Sequence, residues 1–131
     1  MVKVLDASAM MVFLEKESGY EKIKDLFVKA AQTELNLLMT AVNWGEIYYV
    51  LVRHHGLQEA EKVMRLIETF PVEIVEVNLN LAKQAALYKA EKKLPFVDAF
   101  AAALAKIRKG ELMTCDKDFK AVEREIKVVW V

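Results

Sequence analysis

Three acidic residues stand alone in stretches of the chain that carry no other charge. They are Asp6 within residues 4–14, Glu46 within residues 35–52 and Asp98 within residues 94–105. An ionised carboxylate in apolar surroundings is costly unless it is paired with a cation or bound to a metal. Because none of the three stretches contains a basic residue, the three acids indicate one shared compensating cation.

A fourth acid follows a β-prone run much as Asp6 does. Asp6 comes after residues 2–5, and Asp116 comes after residues 112–114. If both runs are parallel strands, their carboxyl ends lie at one edge of the sheet, where open α/β folds place their sites. Glu46 and Asp98 lie near the starts of predicted helices that begin at that edge. Four acids from four distant segments are therefore expected to meet in one crevice.

The chemistry expected of such a crevice is that of a divalent cation. Close carboxylates repel one another, and a divalent cation relieves that repulsion. Ligands that offer only oxygen suit Mg²⁺ or Mn²⁺ better than zinc. Cys115 is the only cysteine, which excludes a cysteine-based zinc cluster and an internal disulfide. The sequence therefore predicts a Mg²⁺ or Mn²⁺ site.

The elements that hold these acids follow from hydrophobic periodicity and from residues that begin or end helices. Predicted strands are residues 2–5, 37–39, 72–77, 112–114 and 128–130. Predicted helices are residues 8–16, 20–34, 43–55, 58–70, 78–93 and 95–109. Strands that alternate with helices imply a parallel sheet covered by helices on both faces.

The predicted fold class is α/β, a three-layer α/β/α sandwich around a mainly parallel sheet of four to five strands. A chain of 131 residues fits one domain, and we expect residues 1–131 to form it. The chain has four glycines and no glycine-rich phosphate loop. This excludes nucleotide-binding Rossmann and P-loop folds.

Composition and charge restrict the class of protein further. Hydrophobic residues make up 55% of the chain and charged residues 29%, which favours a globular fold. No apolar run reaches the roughly 18 residues needed to cross a bilayer, and no signal peptide is recognisable. We therefore expect a cytoplasmic protein without membrane contact. Its 19 basic and 19 acidic residues cancel, which argues against tight non-specific nucleic-acid binding but not against a metal-held phosphate.

Each acid also has a purely structural interpretation. Asp6 could cap the helix that follows it, and Asp98 could complement the dipole of its helix. The loop that contains Asp116 would, by itself, be an ordinary solvated turn. Glu46 is hardest to explain in this way, because its whole neighbourhood is apolar. The four acids together favour the metal site.

Other reactive or aromatic residues receive structural interpretations. His54 and His55 end a predicted helix, where imidazoles favour the dipole. Cys115 has no accompanying histidine and is expected to be a small buried residue rather than a nucleophile. The Tyr48–Tyr49 pair is expected in the core or at a dimer surface. Ser8 either donates a hydrogen bond to a ligand carboxylate or only begins a helix.

Four motifs, in their order and spacing, resemble the PIN-domain family, especially its VapC-type toxins. They are residues 4–9 (VLDASA), 40–48 (TAVNWGEIY), 95–103 (PFVDAFAAA) and 114–119 (TCDKDF). Each motif is short, but together they span essentially the whole chain. The resemblance implies that Asp6, Glu46 and Asp98 are metal-site acids, with Asp116 as the fourth. Asp118 matches a second acid of that loop and can share the role.

The resemblance also implies an activity and partners. Ser8, Thr40 and Thr114 would surround the acids without binding the metal. The activity would be Mg²⁺- or Mn²⁺-dependent endoribonuclease cleavage of RNA, often tRNA or rRNA. Such toxins are commonly homodimers, and each is silenced by a cognate antitoxin whose C-terminal segment covers the active site.

Two alternatives from other functional classes stand beside this expectation. One is a non-catalytic domain that binds or assembles with a protein partner, although such a surface needs no buried acidic cluster. The other is a metal-dependent phosphatase. Phosphatases that form an aspartyl phosphate need a second aspartate two residues after the first, where this chain has Ser8.

Overall fold

The computed structural model describes residues 1–131 and consists of five strands, six α-helices and one 3₁₀ helix. The strands are β1 (Lys3–Leu5), β2 (Leu37–Thr40), β3 (Val72–Val75), β4 (Glu111–Thr114) and β5 (Lys127–Trp130). The helices are α1 (Ala7–Leu14), α2 (Tyr20–Thr33), α3 (Ala41–His55), α4 (Leu57–Ile67), α5 (Leu79–Lys92) and α6 (Phe96–Ile107). The 3₁₀ helix is Lys117–Val122.

The five strands form one sheet in the order β3-β2-β1-β4-β5, and every neighbouring pair is parallel. β1 is the central strand, with Val4 beside Leu38 of β2 and Leu112 of β4. Parallel pairing needs a crossover between strands, and the helices supply these crossovers. The predicted three-layer α/β/α fold with a parallel sheet is confirmed.

Alternate side chains along the strands belong to two separate cores, one on each face of the sheet. Val4 and Leu112 pack with residues of α5 and α6. Leu5 and Met113 pack with residues of α1, α2, α3 and α4. The period of two along a strand places neighbouring residues on opposite faces. Both faces of the central strands are therefore covered, as a parallel sheet requires.

Helix α6 is the most deeply packed helix, because most of its residues are buried. The small side chains of Ala101, Ala102 and Ala103 are fully buried, which lets α6 approach its neighbours closely. Asp98 is the one charged residue among the buried residues of this helix. Packing thus fixes the helix that carries the Asp98 carboxylate.

Gly110 allows the close approach of β4 to β1. A Cβ atom at this position would lie 2.5 Å from the carbonyl oxygen of Val2, a distance at which backbone would have to move. The next residue, Glu111, donates its N–H to that same carbonyl at 2.8 Å. A side chain at Gly110 would therefore disturb the pairing that brings Asp6 and Asp116 to neighbouring strands.

Most predicted elements agree with the structure to within a few residues at their ends. α3 begins at Ala41, two residues before the predicted start, because Thr40 and not Asn43 caps it. The 3₁₀ helix Lys117–Val122 was not predicted. β3 is partly exposed, as the alternation of its apolar and acidic residues indicates, and the structure places it at an edge of the sheet. No helix of the structure has both the length and the apolar character that a membrane span requires.

Candidate functional site

The candidate site lies where the strand order reverses direction. The chain continues from β1 to β2 on one side of the sheet, whereas β4 pairs on the other side of β1. Such a switch point leaves a crevice at the carboxyl ends of the two neighbouring strands. Asp6 follows β1 and Asp116 follows β4 with one residue between. The topology therefore brings the first and last of the predicted acids together.

Asp6 caps helix α1 and also lines the crevice. It is the N-cap of α1, and its Oδ1 accepts the backbone N–H of Ala9 at 2.9 Å. The hydroxyl of Ser8 donates to the same carboxylate at 2.8 Å. The hydroxyl of Thr114 donates to Oδ2 at 2.5 Å. Asp6 therefore caps a helix, as the structural interpretation predicted, and its carboxylate is also held in a fixed orientation at the crevice.

The loop after β4 is ordered by the same small network. Thr114 Oγ1 accepts the backbone N–H of Asp116 at 2.9 Å. Asp116 Oδ1 accepts the backbone N–H of Asp118 at 2.9 Å. Asp116 thereby caps the start of the 3₁₀ helix. Phe119 and Val122 of that helix are fully buried. The loop is thus anchored on both sides and is not the freely solvated turn that its local sequence suggested.

Glu46 projects from the second turn of α3 at the side of the crevice. The buried face of this helix consists of Asn43, Ile47 and Leu51, and Glu46 lies next to that face at helical spacing. The residue is half-buried, and no side-chain hydrogen bond holds its carboxylate. Glu46 is therefore less restrained than Asp6 and Asp116, whose carboxylates accept backbone N–H groups.

Asp98 lies in the first turn of α6 and is 8% exposed. The start of this helix is tied to the start of α3, because the Nδ2 group of Asn43 donates to the carbonyl oxygen of Val97 at 3.3 Å. Asn43 is fully buried, and its Oδ1 also accepts a hydrogen bond from Thr40. This hydrogen-bond pattern sets the position of Asp98 relative to Glu46.

Four of the predicted acids line one cleft of about 180 Å³, namely Asp6, Glu46, Asp98 and Asp116. Asp118 lies beside it, because carboxylate oxygens of Asp98, Asp116 and Asp118 lie within 4.8 Å of one another. The structure thus brings all five predicted acids to one place. Asp118 is exposed, whereas Asp98 is buried, so the group extends from the interior to the surface.

No basic side chain neutralises this acidic group. The four salt bridges of the structure lie elsewhere, and none includes a site acid. Burial raises the pKa of Asp6 to about 6, against the opposing effect of its hydrogen bonds. Burial and then the charges of Asp116, Asp6 and Glu46 raise the pKa of Asp98 to about 7. Burial and the charge of Asp116 also raise the pKa of Glu46.

These residues fit a divalent cation. They offer only carboxylate oxygens, which Mg²⁺ and Mn²⁺ prefer over nitrogen or sulfur. Burial and neighbouring acids raise the pKa values of Glu46 and Asp98, and no salt bridge of the protein supplies a positive charge that would stabilise their ionised forms. A cation that binds among Asp6, Glu46, Asp98 and Asp116 would supply that charge, with Asp118 at its exposed side.

The three residues predicted to surround the acids differ in what they contact. Ser8 and Thr114 donate hydrogen bonds to Asp6. The hydroxyl of Thr40 instead bonds to Asn43 and accepts the N–H of that residue at 3.0 Å, so it acts on α3 and on no acid directly. The sequence interpretation missed Asn43. Its signal was a single amide in an apolar helix, three residues before Glu46.

The raised pKa values predict how stability depends on pH without metal. The folded protein holds protons on Asp6 and Asp98 up to about pH 6 and about pH 7, whereas the unfolded chain releases them near the ordinary value. The stability that these protons provide is therefore complete below about pH 4 and is lost as the pH rises through 6 to 7. Urea unfolding in EDTA should give a lower free energy of unfolding at about pH 8 than at about pH 5.

The control for this pH effect is Asp98→Asn, which should reduce the difference in stability between the two pH values because it removes one of the acids whose pKa is raised. Higher stability of the metal-free wild type at the higher pH would contradict the prediction.

Solved structures with the same fold come from several bacteria. They include a DNA-bound VapBC from Salmonella typhimurium, with a TM-score of 0.79, 14% identity and coverage of 99% of this chain and 98% of that chain. VapBC2 from Rickettsia felis bound to a promoter fragment has a TM-score of 0.79, 14% identity and coverage of 100% and 99%. Mycobacterium tuberculosis VapC20 has a TM-score of 0.72, 20% identity and coverage of 92% and 94%.

At these identities the structural matches establish a shared fold. No curated protein sequence matches the chain significantly. The sequence model of the PIN domain matches residues 3–125, which includes β1 to β4, all six α-helices and each of the five acids. The chain therefore belongs to the PIN domain family.

Proposed function

We propose that this protein is a metal-dependent endoribonuclease that hydrolyses RNA phosphodiester bonds with Asp6, Glu46, Asp98 and Asp116, assisted by Asp118. The observation that carries the proposal is the cleft in which these acids converge with no basic side chain to neutralise them. Membership of the PIN domain family supports it. Mg²⁺ or Mn²⁺ is the proposed cofactor, because the ligand set consists of carboxylate oxygens.

The chain's own residues would position the ion and the water. Asp6, fixed by Ser8, Ala9 and Thr114, and Asp98, fixed by the packing of α6, form the rigid part of the ligand set. When bound, a divalent cation polarises a phosphate oxygen and lowers the pKa of a coordinated water. Glu46 is half-exposed, has a raised pKa and is free of hydrogen bonds, so it is the acid best suited to accept a proton from the attacking water.

No other residue type is available for that proton transfer in the cleft. Besides the four acids, its lining consists of Ser8 and apolar side chains. His54 and His55 are exposed at the opposite end of α3. Cys115 is exposed, not buried as the sequence suggested, and only its backbone N–H contacts the site, as a donor to Ser8. The mechanism therefore uses carboxylates alone.

The biological role that we propose is that of a toxin in a toxin–antitoxin pair, with a cognate antitoxin as protein partner. Several proteins with this fold were solved as VapBC complexes, and M. tuberculosis VapC20 is described as a toxin that cleaves the sarcin–ricin loop. We further propose a homodimer that acts in the cytoplasm on a structured RNA such as tRNA or rRNA.

The test is cleavage of total cellular RNA by the purified chain with Mg²⁺ or Mn²⁺. We expect discrete cleavage products that require the metal and disappear when a chelator is added in excess. DNA of matched sequence and a simple phosphate ester serve as comparison substrates, because a phosphatase would act on the ester. Cleavage that persists in the chelator, or hydrolysis of the ester alone, would contradict the proposal.

A further inference from the structure

Two exposed residues of α3 continue the face of the helix that carries Glu46. In an α-helix, residues three, four and seven positions apart lie on one side. Glu46 and Val50 line the acidic cleft. Tyr49 and Arg53 stand three and seven positions after Glu46 and are therefore on the same side of the helix. The face runs from the acids of the cleft to the C-terminal end of α3.

Tyr49 and Arg53 are paired with each other and with nothing else. Tyr49 is 56% exposed. Arg53 Nη1 donates a hydrogen bond to Tyr49 Oη at 2.9 Å, and the guanidinium carbon lies 6.0 Å from the ring centroid. No carboxylate forms a salt bridge with Arg53. An exposed aromatic ring and a cation without a carboxylate partner thus lie side by side.

A purely structural role explains only part of this arrangement. The charge of Arg53 favours the dipole at the C-terminal end of α3. It does not explain an exposed ring beside the cleft. Tyr49 also differs from the preceding Tyr48, which is half-buried and bonded to Glu61. Tyr49 is therefore not a core residue, which was one of the two locations expected for the tyrosine pair from the sequence.

The charges of the cleft explain why such a pair is needed. A polyanion that approaches five carboxylates must find positive charge nearby, and Arg53 is the first basic residue along α3 after Glu46. The rise of an α-helix places it roughly 10 Å from Glu46 along the helix axis. At roughly 3.4 Å per nucleotide along a stacked strand, this distance corresponds to about three nucleotides.

We propose that Tyr49 and Arg53 bind the RNA strand next to the phosphate that is cut, with Tyr49 stacking on an unpaired base and Arg53 contacting a backbone phosphate. This inference rests on the proposed ribonuclease function and names the part of the substrate that the site requires: a segment with at least one unstacked base. Aromatic rings and guanidinium planes are the groups on which proteins stack single-stranded bases. The pairing of Arg53 with Tyr49 holds both groups ready before RNA arrives.

The test measures affinity for a fluorescent single-stranded RNA of ten random nucleotides, in the cleavage-deficient Asp98→Asn background. Tyr49→Ala should weaken binding by about 5-fold to about 100-fold, the range for loss of one stacked base. Arg53→Gln should reduce the slope of log affinity against log salt by about 0.7, as expected for one phosphate contact to a single strand. Tyr49→Phe keeps the ring and should lose less affinity than Tyr49→Ala.

The matched control is Arg65→Gln, which removes an exposed arginine of α4 that does not line the cleft. It should change neither the affinity for RNA nor the slope of log affinity against log salt. In the cleaving protein, Tyr49→Ala and Arg53→Gln should raise KM and leave kcat nearly unchanged, because binding rather than chemistry is lost. Melting temperature and light scattering would show that the variants remain folded and keep the oligomeric state of the wild type.

Three results would overturn the inference. Wild-type affinity in both variants, from a protein that does bind and cleave RNA, would refute it and leave the proposed function intact. Weaker binding that coincides with dissociation into smaller species would place Tyr49 at a subunit interface instead. A wild-type protein that neither binds nor cleaves RNA would refute the proposed function, and this inference with it.

Discussion

Asp98→Ala is expected to reduce RNA cleavage by about 10³-fold or more, to the background of the assay. Asp98 is buried in the first turn of α6 and lies within 4.8 Å of acids from a second segment. In the proposed mechanism, its removal would take away one of the carboxylates that would hold and position the divalent cation, an effect of several kcal/mol on the transition state. The measurement is the initial rate of RNA cleavage at saturating Mg²⁺.

The controls for this prediction separate site acids from other acids and other reactive groups. Asp25→Ala removes an exposed aspartate of α2 outside the cleft and should leave the rate unchanged. His54→Ala and Cys115→Ser should also cleave at nearly the wild-type rate. In a bacterial host without an antitoxin, the wild-type chain should slow growth, and the Asp98→Ala chain should not. Full activity of Asp98→Ala would refute the assignment of this residue.

The second prediction concerns Asp6, whose two roles can be separated by two substitutions. Asp6→Asn keeps an oxygen for the N–H of Ala9, and it removes the charge whose burial raises the pKa to about 6. Metal-free stability at about pH 8 should therefore be unchanged or slightly higher. Asp6→Ala loses the cap and leaves the Thr114 hydroxyl without this acceptor, which should cost about 2 kcal/mol or more.

Metal binding should be weakened by both Asp6→Asn and Asp6→Ala, because each removes a proposed metal ligand. Mg²⁺ at about 100 times its dissociation constant should stabilise the wild type by about 2.7 kcal/mol, or roughly 10 °C in melting temperature. The same concentration should shift the melting temperature of Asp6→Asn far less. Thermal unfolding with Mg²⁺ and with EDTA gives both numbers. An equal metal-induced shift in wild type and Asp6→Asn would show that Asp6 serves only as a cap.

The acids of the site could be predicted from the sequence because their isolation is a local property. Glu46 and Asp98 each lie in a long stretch without other charges, and no folded structure is needed to notice this. Most helices and strands were also accessible, because they depend on the period of apolar residues along a short segment. The capping role of Asp6 followed from its position before a helix.

What the sequence could not provide depends on contacts between distant segments. The hydrogen bond from Asn43 to Val97 joins residues 54 positions apart. Asn43 is recognisable as the single amide of its helix, but nothing in the sequence identifies Val97 as its partner. The position of β4 beside β1 rests on pairings such as that of Val4 with Leu112. The 3₁₀ helix after β4 depends on the burial of Phe119, whereas its local sequence is typical of a solvated turn.

The pairing of the central strand has a consequence for when the acidic site is completed during synthesis of the chain. Residues Lys3 to Leu5 pair with Glu111 to Met113, so one partner of β1 leaves the ribosome long after β1 itself. At typical translation rates this interval is roughly 5–20 s. Contacts of such long sequence separation also slow folding itself. A growing chain therefore carries Asp6 and Glu46 without Asp116, and the acidic centre is complete only when nearly all of the domain has been translated.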